Sequence, residues 1–226
     1  MKKLLVPVLL ALCIGLGLGW LIPSPLPRTD APVFQSTAPT PGQQPEVSSP
    51  AVSPSLDTKS SGPLLRAAFT AVSALRTQNY AALSALVSPE KGLLFTPYAT
   101  VEPKVNLCFT PEQVASFPSN GETYVWGMAD GSGFPLEMTV EEYMARFVYD
   151  ADFANAPILG VDRVLGLGNS LENVTEALPG TRFVEFYFPG IDPEFEGFDW
   201  RSLKLVFEPG PTEYQLVAVI HSEWTI

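Results

Sequence analysis

Nine prolines fall within residues 23–62, interleaved with Ser, Thr and Gln, and few large apolar residues lie among them. Such a stretch buries too little apolar surface to offset the entropy of ordering it. It is expected to be a disordered linker, extended and partly polyproline, that serves as a tether. A folded core must therefore be built from residues 63–226. These 164 positions are enough to bury roughly 70% of the surface that the unfolded chain exposes.

Ahead of the tether, Lys2 and Lys3 precede residues 4–22, a run without a charged residue. As a helix, those 19 residues span roughly 28 Å, about the hydrocarbon thickness of a bilayer. Residues 1–22 are read as an uncleaved membrane anchor that contacts the bilayer through residues 4–22. It would keep the basic end inside and place the domain outside the cytoplasm as a single-pass protein. The alternative is a cleavable signal peptide and a secreted domain. Gly17-Leu18-Gly19 offers a small-x-small site for it, but Trp20-Leu21-Ile22 carries the apolar run past that site.

Charge narrows the partners. Residues 63–226 carry 9 Lys/Arg against 21 Asp/Glu, a net −12. Nucleic acid is excluded as a partner on that count, because neutralising phosphates needs a basic surface. Adhesion of the domain itself to anionic lipid is disfavoured for the same reason.

The domain's periodicities predict its elements. Leu65, Ala68, Val72 and Leu75 mark one helical face, and Asn79 caps a second short helix whose apolar face is Tyr80, Leu83, Leu86 and Val87. Thr110-Pro111-Glu112-Gln113 and Thr139-Val140-Glu141-Glu142 both have capping-box spacing. Residues 122–153 organise the rest: strand, Asp130-Gly131-Ser132-Gly133 turn, strand, capped helix and an acidic exit. Four later stretches read as strands: 161–167, 183–188, 202–208 and 214–224. Helices first and strands last give an α+β class, with N-terminal helices packed on a curved antiparallel sheet.

The helix-borne LRTQNYAALSALVSPEKG, together with the C-terminal LVAVIHSEWTI, resembles the nuclear transport factor two-like (cystatin-like) cone fold. The phrases YVWGMADGSG, EEYMARFVYDADF and DWRSLKLVFE resemble a group of uncharacterised exported bacterial proteins. The resemblance implies the cone architecture. It does not imply an activity, because that superfamily holds enzymes and binding modules alike and no catalytic set of theirs maps onto this chain.

Few residues carry chemistry. His221 is the only imidazole, and alternation puts it on one strand face with Val217, Val219 and Glu223, opposite Leu216, Ala218, Ile220 and Trp224. A general base could be built from His221 with Glu185 or Glu223 as its orienting carboxylate and Tyr187 nearby. The plainer reading is a hydrogen-bonded structural histidine. Asp150 and Asp152, with Asp130, form an acidic set; Asp192, Glu194, Glu196 and Asp199 form another. Neither has calcium-loop spacing, so capping of backbone amides is expected of both. Trp126 and Trp224 are candidate ligand-binding aromatics beside Asp150 and Asp152, the plainer reading being core. Cys108 reads as a buried small hydrophobe, and one histidine with one domain cysteine makes no Cys/His zinc site. No metal or cofactor is expected. Ser132, Ser202 and Ser222 lack hydrolase surroundings. The resulting expectation is a non-catalytic, membrane-tethered domain that binds a ligand, a wall component or an envelope protein. The alternative is a small pocket enzyme using His221.

Overall fold

The computed structural model describes residues 58–225; the expected anchor and most of the expected tether lie outside them. Among the described residues, no helix is long and apolar enough to cross a membrane. The first helix, α1 (Thr58–Arg76), takes in residues 58–62, which composition assigns to the tether. Pro63 lies inside it and lacks an amide, so it cannot supply its share of the helical ladder. The buried stripe is Leu64, Ala68, Ala71, Val72 and Leu75, one position removed at its start from the expected Leu65. Its alanines let the helix backbone come close to the sheet beneath.

Asn79 caps α2 (Tyr80–Ser84) by accepting from the Ala82 amide at 3.0 Å. Strand β1 (Leu93–Thr96) and the short β2 (Cys108–Phe109) follow, then α3 (Pro111–Ala115) with its capping box formed. Next come β3 (Thr123–Met128), β4 (Pro135–Thr139) and α4 (Val140–Phe147), whose capping box is also formed. Gly131 and Gly133 sit at φ 75° and 68° in the turn between β3 and β4, the conformation for which glycine is suited. The chain ends through β5 (Ile158–Val161), α5 (Val174–Ala177), β6 (Arg182–Phe188), β7 (Arg201–Pro209) and β8 (Tyr214–Glu223).

The class is α+β, as expected, but the sheet is mixed rather than antiparallel. Six strands run in the order β2-β1-β8-β7-β6-β5, and β1 lies parallel to β8. Parallel neighbours need a long connection, and nearly the whole domain intervenes between these two. The strand expected at 161–167 ends at Val161, because Asp162 adopts φ 50° and the chain leaves the sheet there.

A bulge in β8 alters the expected faces. Val206 pairs with Ala218 and Phe207 with Leu216, so Val217 is the extra residue. Leu216 therefore joins Val219 in the core beneath α1, while Ala218 and Ile220 face the other way. The helix-side core gathers Phe95, Phe109, Trp126, Tyr143, Phe147, Phe153, Phe186 and Phe207. The opposite core is smaller and mainly aliphatic: Leu94, Val101, Val174, Phe183, Val206 and Ile220.

Candidate functional site

β3 and β4 form a separate two-stranded sheet, so β3 is paired on one side only. Trp126 anchors the hairpin from within: it is buried, stacks on Tyr143 at a ring distance of 3.7 Å and donates to the Met138 carbonyl at 2.9 Å. Strand alternation then turns Val125 outward. Between this strand and the segment 97–106 lies a cleft of about 680 Å³, lined by Pro97, Tyr98, Val105, Val125, Met128 and Asp130 among others. The Tyr98 hydroxyl accepts from the Asp130 amide at 3.2 Å and ties the floor to the hairpin turn. Gly127, at φ 151°, lets the Pro97 ring approach: a Cβ there would lie 3.3 Å from Pro97 Cγ.

Under the floor lies a charged brace. Tyr98 packs edge-on against Phe147, and Phe147 edge-on against the His221 ring, at 5.8 and 5.7 Å. His221 is fully buried; Nδ1 faces the Pro97 carbonyl at 3.1 Å, and Nε2 faces Asp150 Oδ2 at 3.3 Å. Both neighbours are acceptors, so only an imidazole protonated on both nitrogens donates to both. Arg201 bonds Asp150 at 2.8 Å and reaches Glu223 at 3.3 Å, while Arg146 grips Glu223 at 2.5 and 3.3 Å. Burial raises the Asp150 pKa, but the His221 and Arg201 partners outweigh it and hold the carboxyl below its ordinary range.

Ligand atoms of Asp150, His221 and Glu223 lie within 4.8 Å of one another, a spacing that would suit a cation. The surroundings do not suit one. Oδ1 of Asp150 is buried without a hydrogen-bond partner among the described residues, yet Arg201 and Arg146 already neutralise both carboxylates and would repel a metal. The group is an ion-pair brace.

The enzyme candidates do not converge. Glu185 pairs across the sheet with Lys204, and Lys204 with Ile220, on the face away from α1; His221 pairs with Leu203 on the helix side. Glu185 accepts the Leu165 and Gly166 amides at 2.7 and 3.0 Å and a bond from the Ser202 hydroxyl. Lys204 lies between it and Glu172, at 3.6 and 2.7 Å. Tyr187 packs near Trp200, and burial followed by the Glu185 charge raises its pKa.

The expected ligand residues are dispersed as well. Trp126 is core, and Trp224, partly exposed just past the end of β8, packs on Phe198. Asp150 and Asp152 bind side chains rather than capping amides: Asp152 accepts from the Tyr149 hydroxyl and the Asn155 amide group at 2.9 and 2.7 Å. Amide capping does hold for the other acidic loop, where Asp199 accepts from the Asp192 amide at 2.7 Å. Cys108 is exposed on the short β2 instead of buried, its thiol donating to the Lys91 carbonyl at 3.1 Å; partial burial pushes its pKa up. The cleft residues Pro97, Tyr98, Glu102 and Val105 carry no signal in the sequence, since a loop wall has no periodicity. Val125 is legible as an apolar residue out of phase with the inward Trp126, whereas Met128, in phase with it, is exposed only because the register shifts between Val125 and Met128.

No family model, curated protein or solved structure matches the chain.

Proposed function

We propose that this chain is a non-catalytic domain carried outside the cytoplasm on a membrane-anchored tether, and that it binds a ligand, a wall component or a protein partner in the cleft beside β3. One observation carries the reading: the only imidazole is sealed into the brace, while the open, apolar-walled cleft sits above it. An acid–base enzyme using His221, Glu185 and Tyr187 has the sheet itself between its parts. Kinship with exported bacterial proteins of the cone fold belongs to the same reading; the packing of α1 on the sheet supports it.

Two measurements test it. Membrane fractionation with mass spectrometry of the N-terminus is expected to find the full chain in the detergent-extracted fraction. A mature chain starting at Trp20 or later overturns the anchor in favour of a secreted domain. Thermal-shift screening with wall fragments and short peptides is expected to yield a ligand whose stabilisation is lost in Val125→Asp. A ligand unaffected by that change places the binding elsewhere.

A further inference from the structure

The bare side of β3 faces the cleft. Val125, Gly127, Met128 and Ala129 line it, and no residue of β4 does. An unpaired strand edge offers a row of amides and carbonyls to any extended chain, and proteins ordinarily blunt such edges with lysine, proline or inward charge. β3 reads Thr-Tyr-Val-Trp-Gly-Met and has none of these. Its one protective device is the irregular register between Val125 and Met128, which limits a docked partner to a few paired residues.

The walls add a chemical preference. Val105, Val125 and Met128 are 68%, 49% and 59% exposed, so an incoming chain would cover apolar surface. The charged residues lining the cleft are Glu102 and Asp130; neither lysine nor arginine lines it. The domain as a whole carries −12, which steers cations toward it.

We propose that the cleft binds an extended, positively charged polypeptide segment, which adds as a strand to the open edge of β3 and sets Lys or Arg side chains against Glu102 and Asp130. The proposal deepens the reading of the cleft as the binding site and rests on it. Backbone pairing supplies affinity without regard to sequence, and the two carboxylates with the apolar walls supply the selection.

The probe is an acetylated, amidated hexapeptide of three Val-Lys repeats, titrated by calorimetry into the full chain in detergent; its Val-Glu counterpart is the control. The lysine peptide is expected to bind saturably at one site and the glutamate peptide not at all. The double change Glu102→Gln/Asp130→Asn is expected to weaken binding about tenfold or more, a loss of about 1.4 kcal/mol or greater. Asn at 130 can still accept from the Gly131 amide as Asp130 does, so the turn survives. N-methylating one alternate set of peptide residues is expected to abolish binding, while methylating the other set is tolerated. Equal binding of both peptides overturns the charge selection but leaves a binding cleft. Indifference to both methylation sets overturns strand addition. Absence of binding by the lysine peptide overturns the whole proposal; if Val125→Lys then dissolves a concentration-dependent dimer, a second copy of this chain owns the edge.

Discussion

The two faces of the six-stranded sheet solve the same covering problem with opposite materials. On one face α1 lies across β6, β7 and β8, and the core beneath it is aromatic and large. A helix satisfies its own backbone, so its cover can be wholly apolar. On the other face the cover includes the irregular segment 163–173, whose amides have no ladder to join. The sheet answers with a buried carboxylate: Glu185 takes the amides of Leu165 and Gly166, and Lys204 neutralises it along with Glu172. Irregular cover thus forces polar groups into the sheet, and each buried polar group calls for the next.

Substitutions on each face should separate these two strategies. Phe95→Ala, on the aromatic side, is expected to cost about 3–5 kcal/mol through the cavity it leaves. Lys204→Met should cost a similar amount, about 3–5 kcal/mol, because Glu185 remains charged and buried without its cation. The informative case is Lys204→Met combined with Glu185→Met. A plain buried ion pair can be replaced by hydrophobes at little cost, but here the Leu165 and Gly166 amides are left orphaned, at about 1–3 kcal/mol each. Urea denaturation that finds this double variant as stable as the parent would break the comparison.

Asp150→Asn, in the brace, comes next at about 1.5–3 kcal/mol, the range for hydrogen bonds to charged groups. Its pH dependence has a definite sign. The folded-state pKa of Asp150 is depressed, so its contribution is present above the unfolded carboxyl pKa and lost as pH falls through the folded one. Parent and variant melting temperatures should converge on acidification; a gap that persists at low pH removes Asp150 as an ionised partner.

Gly127→Ala tests the cleft wall. It places a Cβ 3.3 Å from Pro97 at φ 151°, so a loss of about 1–3 kcal/mol is expected, together with weaker ligand binding. The smallest effect is at the surface. Asn79→Ala removes the side-chain acceptor for the Ala82 amide and should cost about 1 kcal/mol by chemical denaturation. A larger value would mean that α2 does more than pack against α1 and α3.

Local codes in the chain proved readable where a few adjacent residues decide the outcome. The capping boxes at Thr110 and Thr139, the Asn79 cap and the glycine turn after Asp130 all form as their spacing requires, because each is closed within a few residues. The faces of β8 were legible only down to the bulge at Val217, since one inserted residue reverses every position beyond it. The partner of His221 was not legible at all. Asp150 leaves α4 as an ordinary acidic exit, and only the packing of that helix end over β7 and β8 brings it to the imidazole.

By itself, then, the sequence determined the apolar run, the proline-rich stretch, the acidic balance, the α+β class and most element boundaries. These depend on composition and on periods of a few residues. Tertiary structure alone decided that β1 runs parallel to β8, that His221 and Glu185 sit on opposite faces, and that the bare edge of β3 opens onto a cleft. Each of those facts is a meeting of segments far apart in the chain, and no local pattern encodes which distant neighbour arrives.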